Sequence, residues 1–549
     1  MACSLHILLL AVGLLGGAKN PPPGGGVVED RTKSATVPGD PGELESIARE
    51  IAALRTRNHE LNRRLDDRVE QPWLDASRAE SIRGLVHDVL EDSSLRMNLQ
   101  DTGANVGYTR GRGFHITTAD NTFHLRLLGE SQIRWVFNRN RSGEQYSNTD
   151  IITDRTTDQQ TVAGPETGWG FQIRNLKVKL LGHVVDPSWQ YKIELAFQSG
   201  DGEAQFQDAY INKDLGEGFS FRVGQFKAPW LREQLVSSVF QLAADRSIID
   251  GYFNAGRSVG LQGQYRSDSL RLRAFYGNGF ESVLNTATSF TNFSDAPTDW
   301  AFAGRLDWKL TGDWVELEDF NAQAGQEPVV MLGVAAMGQK FNGNAGFDDP
   351  FNINLESNLP TGPLFPAPTS IDGSKMYGIT ADITAKFENW SLYAAAVWQR
   401  FDLATPTADY ALAAPPTTGT IDYAFGSVNS WGVLVQGGYL LTDQLELFAR
   451  YAHLAPDLDE ITTDYSVVDA NVGPFAGSAT LDLGNTASNV LTLGANYFIS
   501  RDLKFTLDWG INFNQGFVGL SEGALVNRGW VPTNTSSEWN LRFQTQLLF

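Results

Sequence analysis

From residue 122 onward, apolar and polar residues alternate along the chain with a period of two. In the segment from Leu503 to Asn514, the apolar residues Leu, Phe, Leu, Trp, Ile and Phe alternate with Lys, Thr, Asp, Gly, Asn and Asn. The same pattern recurs in segments that start at Trp189, Leu270, Trp390, Leu445 and Trp539. Such alternation predicts β-strands with one apolar face and one polar face.

The length of these segments separates a membrane barrel from a soluble sandwich. The alternating segments run for about 10–13 residues, whereas strands of soluble proteins average about 5–6 residues and about 9–11 tilted residues cross a bilayer. Aromatic residues also stand at both ends of several apolar faces, as in the interface girdles of barrels. The connections alternate between tight turns, such as Asp186-Pro187 and Thr442-Asp443, and long polar stretches. The sequence therefore predicts an all-β fold, an antiparallel transmembrane β-barrel over residues 122–549.

Counting the alternating segments gives about 16 strands, an even number that fits a porin-sized barrel. Their predicted starts lie near residues 122, 169, 188, 203, 218, 258, 269, 299, 328, 374, 389, 429, 444, 488, 502 and 537.

The residues before the barrel show other patterns. An apolar run within residues 1–18 ends in small residues and predicts a cleaved signal peptide, so we expect export. Residues 19–41 form a Pro/Gly-rich linker. Residues 42–70 carry apolar residues in heptad spacing with Asn58 at an a position, which predicts a short α-helical coiled coil whose register Asn58 sets. A single amphipathic helix is the alternative. We expect residues 71–121 to form a helical linker to the barrel.

Charge and composition exclude several classes of protein. The chain has 43 basic and 64 acidic residues, a net charge of −21, which argues against a nucleic-acid partner. The single cysteine, Cys3, leaves neither a disulfide framework nor a cysteine-based metal site. The sequence has no nucleophile elbow, P-loop or dinucleotide fingerprint, so we expect no enzyme, no cofactor and no catalytic or metal-binding residues. The acidic stretch Asp457-x-Asp459-Glu460 is a minor candidate for calcium.

The connection at about residues 228–257 is too apolar for a solvated external loop. We therefore expect it to fold into the lumen and pack on the wall. Rings of Arg or Lys favour anions in a pore, and the candidates for such a constriction are Lys227, Arg232, Arg246 and Arg257. The alternative is that these cations form structural salt bridges with Glu233, Asp245 or Asp250.

Several motifs resemble the phosphate-selective porin family, porins O and P. They are the run from Ser220 to Trp230, the sequence Asp245-Arg246-Ser247, and the run from Ala255 to Gly260. The resemblance covers roughly residues 115–549 and implies a 16-stranded homotrimeric channel for small anions in the bacterial outer membrane. It also implies a strand followed by a loop folded into the pore, and a role for Phe549 as the aromatic signal read by the barrel-assembly machinery. The N-terminal coiled coil looks like an extension found in some relatives and would lie in the periplasm.

The distribution of charge qualifies the expected selectivity. Much of the acid lies in the long connections, whereas the predicted lumen-facing positions include the basic residues Arg271, Arg273, Arg305, Lys309, Arg450 and Arg542. An acidic vestibule would weaken the steering of anions toward such a lumen. The sequence therefore predicts a passive porin for small hydrophilic solutes, with general or weak anion preference favoured over phosphate selectivity. A structural tether that links the outer membrane to the envelope through the coiled coil and an outer-membrane barrel enzyme are the alternatives.

Overall fold

A computed structural model describes residues 104–549 with several gaps. The gaps are 110–112, 140–143, 147–158, 162–166, 198–203, 281–297, 343–371, 405–406, 414–415, 425, 458–459, 470–472, 483–486 and 515–537. The predicted signal peptide, the linker and the coiled coil with Asn58 lie outside the described residues.

The described residues are almost entirely strand. The strands are, in chain order, β1 (Asn105–Thr109), β2 (Gly113–Thr117), β3 (Phe123–Arg139), β4 (Glu144–Tyr146), β5 (Gln159–Thr161), β6 (Thr167–Val184), β7 (Trp189–Phe197), β8 (Ala204–Gly216), β9 (Phe219–Lys227), β10 (Arg257–Arg266), β11 (Leu270–Gly277), β12 (Thr298–Thr311), β13 (Gln326–Phe341), β14 (Lys375–Glu388), β15 (Trp390–Asp402), β16 (Thr407–Ala413), β17 (Pro416–Ala424), β18 (Ser427–Thr442), β19 (Leu445–Ala455), β20 (Glu460–Asp469), β21 (Gly473–Asp482), β22 (Ser488–Phe498), β23 (Leu503–Asn512) and β24 (Trp539–Leu548).

Sixteen of these strands form a closed antiparallel barrel: β3, β6 to β15, β18, β19 and β22 to β24. Each pairs with the next along the chain, and β24 pairs with β3 to close the cylinder. All sixteen begin within two residues of the starts that the alternation predicts. The predicted fold class and strand count are confirmed.

The connections differ between the two ends of the barrel. At one end the chain turns tightly, for instance between β8 and β9 at Glu217-Gly218. At the other end the described parts of the long connections form further strands: β16, β17, β20 and β21 make a four-stranded sheet, and β4 pairs with β5. The sequence predicts these stretches only as long polar connections.

The described part of the predicted helical linker, from residue 104 onward, contains strands and no helix, whereas residues 71–103 lie outside the described residues. Strand β1 pairs antiparallel with β2, and β2 continues the sheet by pairing with the start of β3. Gly113 adopts a left-handed φ of 72°, which breaks any helix at this point. The apolar and aromatic residues on either side of Gly113 suit a pleated strand better than a helix.

The seam between the last and the first barrel strand is completed by Phe549. Its backbone exchanges two hydrogen bonds with Gly129, from Phe549 N to Gly129 O at 3.1 Å and from Gly129 N to Phe549 O at 2.6 Å. A Cβ at position 129 would lie 2.3 Å from two carbons of the Phe549 ring, so only glycine leaves room for the ring. Phe549 is therefore part of the closing contact of the barrel, besides the assembly role that the resemblance implies.

The outer surface of the barrel is a belt of exposed apolar residues, including Phe302, Leu306 and Trp308 on β12. Their strand neighbours Arg305 and Asp307 point inward and are buried. No helix among the described residues is long and apolar enough to cross a membrane. The alternation therefore places apolar residues outside and polar residues inside, as in a barrel surrounded by lipid.

Candidate functional site

The connection between β9 and β10, residues 228–256, folds back into the lumen; we call it the constriction loop. It contains helix α1 (Arg232–Leu235), a 3₁₀ turn (Ser238–Phe240) and helix α2 (Ile248–Phe253). Most of its residues are buried, and Ala228 and Trp230 have no exposed surface at all. The chain therefore places about thirty residues inside the cylinder, as its apolar composition requires.

One half of the lumen receives the apolar side of this loop. Trp230, Leu231, Ile249 and Phe253 belong to a single buried cluster with inward-facing residues of β12 to β22. The wall contributes small or flexible residues at these positions, among them Ala301, Ala303, Ala335, Met337, Met376, Val397, Leu434, Ala452 and Leu454. Because this half is filled, the passage must run along the opposite half.

Asp245 anchors the loop to the polar half. Its carboxylate accepts hydrogen bonds from Arg134 on β3, from Arg174 on β6 at 2.9 Å, and from Arg542 on β24 at 3.2 Å. Arg450 Nη1 adds a bond to the Asp245 carbonyl at 2.7 Å. Burial would raise the pKa of Asp245, but Arg134, Arg174 and Arg542 hold it well below the ordinary value. The loop is thus tied to the wall by an ionised carboxylate.

A second anchor lies where the loop leaves β9. Arg305 on β12, which is fully buried, donates two hydrogen bonds to Asp382 and one to the carbonyl of Trp230 at 3.1 Å. Arg232 donates from Nε to Thr384 Oγ1 on β14 at 2.8 Å. Buried arginines whose donors are satisfied hold backbone and carboxylate together with fixed geometry.

The loop also carries a buried carboxylate of its own. Glu233 accepts hydrogen bonds from Ser247 N at 2.7 Å and Ser247 Oγ at 2.6 Å, which ties α1 to the start of α2. Burial, and then the charge of Asp250, raise the pKa of Glu233. These bonds make the loop a compact unit.

A cavity of about 470 Å³ remains between the loop and strands β3 and β6 to β11. Four carboxylates line it: Glu194, Asp208, Asp245 and Asp250. Ten cations line it: Arg174, Lys177, Lys179, Lys192, Arg222, Lys227, Arg246, Arg257, Arg271 and Arg273. The narrow section of the lumen is therefore positively charged, although the whole chain is acidic.

The wall side of this cavity carries a connected row of ion pairs. Glu194 on β7 lies 2.8 Å from Lys192, 3.5 Å from Arg257 and 3.6 Å from Lys177. Asp208 on β8 pairs with Lys192 at 2.5 Å and with Arg257 at 2.8 Å. The row has three cations, Lys177, Lys192 and Arg257, for its two carboxylates, so it keeps an excess of positive charge facing the cavity.

The four predicted constriction cations occupy different positions. Lys227, Arg246 and Arg257 line the cavity, whereas Arg232 is buried between the loop and the wall. Lys227 donates to the Gln234 carbonyl at 2.5 Å, and Arg246 donates to the carbonyls of Glu233, Gln234 and Val236. Of these four cations, Arg246 is the one with an ion pair to a carboxylate named in the salt-bridge alternative, Asp250 at 3.9 Å.

The six predicted lumen cations also divide into groups. Arg271 and Arg273 line the cavity. Arg305, Arg450 and Arg542 instead hold the constriction loop. Lys309 donates to the Gly312 carbonyl at the end with tight turns.

Sequence reasoning missed the anchoring role of Asp245, which it named only as an alternative ion-pair partner, and the cavity-lining residues Arg174 and Arg222. The inward phase of the alternation along β6 and β9 carries the signal for the two arginines. No group of three or more His, Cys, Asp or Glu in the described part of the chain could hold a metal ion. Asp459 of the calcium candidate lies outside the described residues.

Part of the chain is similar to a known protein family, and several solved structures are similar to the chain at low sequence identity. The family model described as "Phosphate-selective porin O and P" matches residues 156–309, which span β6 to β12 and the constriction loop. No curated protein matches the chain in sequence. Among solved structures, the anion-selective porin from Comamonas acidovorans is 12% identical with a TM-score of 0.42, and the comparison covers 77% of this chain and 99% of that one.

Two further solved structures have similar scores. OmpT of Vibrio cholerae is 12% identical with a TM-score of 0.40, covering 78% of this chain and 98% of that one. The outer membrane channel DcaP of Acinetobacter baumannii is 11% identical with a TM-score of 0.39, covering 77% of this chain and 97% of that one.

Proposed function

We propose that this protein is an outer-membrane porin, a passive channel for small hydrophilic solutes with a preference for anions. The observation that carries the proposal is the cavity beside the constriction loop, where ten cations face four carboxylates. Rings of Arg and Lys favour anions in a pore, because the local positive potential concentrates them. The match to the phosphate-selective porins over residues 156–309 supports the same assignment.

The direct test is to insert the purified protein into a planar lipid bilayer. A porin gives discrete conductance steps, and the reversal potential in a KCl gradient gives the ratio of chloride to potassium permeability. We expect this ratio to exceed one. A protein that inserts but gives no steps, or that prefers potassium, would contradict the proposal.

Phosphate is one of the anions that this channel would pass. The cations of the wall row share their charge with Glu194 and Asp208, so we favour general anion preference over strict phosphate selectivity. Adding phosphate to one side of a bilayer in KCl tests this point. Weak, millimolar block of chloride current agrees with general preference, whereas strong block at micromolar phosphate indicates a selective phosphate site.

Neutralising Glu194 should increase the anion preference. The Glu194→Gln variant keeps the size of the side chain but removes a charge that compensates Lys177, Lys192 and Arg257. One unit charge about 8 Å from the solute path shifts the energy of each ion by about 0.5 kcal/mol in unscreened water, in opposite directions for chloride and potassium. Salt at about 0.15 M has a Debye length of about 8 Å and reduces this to about a third, so the chloride-to-potassium permeability ratio should rise about twofold. The same substitution at the exposed Glu327 is the control and should leave the ratio unchanged. An unchanged ratio in Glu194→Gln would mean that this row does not face the solute.

We also propose that the channel is a homotrimer and that the outer face of β3, β6 and β24 forms the contact between copies. Trp169 and Phe171 on β6 are 72% and 80% exposed, more than any other large apolar residue among the described residues. Phe137 on β3 contacts Trp539 on β24 beside them, with the two rings tilted by 31° and 5.2 Å between their centroids. Such an exposed aromatic patch fits a protein partner better than scattered belt residues do.

A paired substitution tests the trimer contact. Replacing Trp169 and Phe171 by alanine should convert trimers to monomers in mild detergent, because the patch loses most of its apolar area. The control replaces Trp308 and Phe302 on β12, each 50% exposed, by alanine. Size-exclusion chromatography with light scattering measures the mass. Equal trimer loss in both variants, or none in either, would contradict this contact.

A further inference from the structure

The segment between β12 and β13, residues 312–325, lies at the end with tight turns but folds into the lumen; we call it the inner turn. It begins at Gly312, whose φ is 75° and where a Cβ would lie 2.3 Å from Val329 Cγ2. A 3₁₀ turn follows (Trp314–Leu317), capped by reciprocal hydrogen bonds between Asp313 and Glu316. Trp314, Leu317 and Phe320 are all buried. Because three of its large apolar side chains are buried, this segment is a packed part of the structure as well as a connection between two strands.

The inner turn is hydrogen-bonded to the constriction loop. Leu317 O accepts a hydrogen bond from Arg232 Nη2 at 2.6 Å, and Phe320 N donates to Phe240 O at 3.1 Å. The wall holds its other end, because Glu446 accepts from Asn321 Nδ2 and Ala322 N, both at 2.7 Å. The inner turn is therefore fixed between the loop and the barrel.

The indole of Trp314 is surrounded by three cations. The Arg271 guanidinium lies 4.3 Å from the ring centroid, Lys309 Nζ lies at 5.6 Å, and the Arg266 guanidinium lies at 5.8 Å. Trp314 Nε1 donates to Ser267 O at 3.0 Å, which fixes the orientation of the ring. An aromatic face attracts cations within about 6 Å, and tryptophan attracts them most strongly.

Arg271 is the one of these three cations that also lines the cavity. Among the described residues, no carboxylate lies within ion-pair distance of Arg271. Asp307 stands directly opposite on β12, but it is already paired with Arg273 at 2.5 Å and Arg305 at 2.7 Å. The ring of Trp314 therefore supplies the contact that holds Arg271 in place without neutralising it.

We propose that Trp314 is a positioning residue for Arg271, and that the inner turn is thereby a second determinant of ion selectivity beside the constriction loop. This inference rests on the proposed anion-preferring channel. Trp314 holds the guanidinium beside the solute path with its full charge available to anions. Without the ring, Arg271 turns toward Asp307, and its charge is then shared with a carboxylate. The anion preference falls as a result.

The test combines a substitution with a double-mutant cycle. In Trp314→Leu, the chloride-to-potassium permeability ratio from reversal potentials should fall about twofold, as in Arg271→Gln, because one unit of charge is withdrawn from the path. In the Arg271→Gln background, Trp314→Leu should cause no further fall, since contacting residues couple. Trp314→Phe keeps an aromatic face and should retain most of the wild-type ratio.

Incorporating fluorinated tryptophan at position 314 keeps the shape of the ring while weakening its attraction for cations. The ratio should then fall stepwise with the number of fluorine atoms, even if Trp314→Leu assembles poorly. An equal fall for Phe and Leu, a further fall in the Arg271→Gln background, or no response to fluorination would overturn the proposal. Failure of the proposed function is distinct from these results, because the wild-type channel itself would then show no anion preference.

Discussion

Replacing Asp245 by alanine should release the constriction loop and enlarge the channel. The substitution removes the carboxylate that Arg134, Arg174 and Arg542 share, so the charges of these arginines are no longer offset at this point of the loop. Arg542 keeps its pair with Asp508 at 2.7 Å. Breaking a buried ion pair by removing one partner costs about 3–5 kcal/mol. A loss of about 3 kcal/mol shifts the docking equilibrium of the loop by a factor of about 100.

Single-channel recording measures this effect. The Asp245→Ala channel should show larger conductance steps and noisier open levels than the wild type. It should also show a higher chloride-to-potassium permeability ratio, because three arginines lose a counter-charge. Asp250→Asn is the matched control in the same loop. It also removes a carboxylate that lines the cavity, so it should raise the permeability ratio, but its ion pair, with Arg246 at 3.9 Å, lies within the loop, so the conductance steps should stay at the wild-type size. If both variants conduct like the wild type, the Asp245 cluster does not hold the loop.

The pKa of Asp245 also predicts how loop docking responds to pH. Burial opposes ionisation, but the three arginines hold the folded-state pKa well below the ordinary value of an aspartate. A depressed pKa stabilises the docked loop above the ordinary aspartate pKa, near 4, and this stabilisation is lost as pH falls through the folded-state value. The conductance contributed by this anchor should therefore stay constant from neutral pH down to about pH 4, which a series of bilayer recordings checks.

The barrel was readable from the sequence because a strand that separates lipid from a polar lumen must alternate. Where the two faces differ most, as in Leu503–Asn512 and Trp539–Leu548, period and length are unambiguous. Alternation alone does not identify β1 and β2 as strands, because five residues each are too few to show a period. Short apolar runs fit a helix face as well as a strand face.

The sequence predicts an inserted loop and a lumen lined by cations, but it does not predict how these residues are arranged. The apolar composition of residues 228–257 predicts insertion into the lumen, and strand β13 carries a matching signal. Its inward-facing residues, such as Met331, Ala335 and Met337, are apolar, and most of its outward-facing residues are apolar as well. A strand with two apolar faces must meet something apolar inside the barrel. Which cations line the cavity and which hold the loop depends on contacts between residues more than a hundred positions apart, such as Arg542 with Asp245. No local pattern encodes these contacts.

Replacing Arg305 by leucine should destabilise the barrel and its loop more than any exposed ion-pair substitution. Arg305 joins Asp382, Asp307 and the Trp230 carbonyl with no exposed surface. Asp307 keeps Arg273 as a partner at 2.5 Å, whereas Asp382 loses both of the hydrogen bonds that Arg305 donates. The uncompensated carboxylate should cost about 3–5 kcal/mol.

The temperature at which the folded band disappears in a heat-modifiability gel measures this cost. Arg400→Leu is the matched control, because the Arg400–Asp402 pair has the same 2.7 Å separation but is 43% and 39% exposed. Exposed pairs contribute about 0–1 kcal/mol, so the control should unfold close to the wild-type temperature.

The double variant Arg305→Leu with Asp382→Leu should regain most of the loss, since replacing a buried pair by apolar residues is often close to neutral. It should still lack the bond to Trp230, so its channels should be noisier than the wild type. If the single and double variants unfold at the same temperature, the cost comes from the lost anchor of the loop and not from the stranded carboxylate of Asp382.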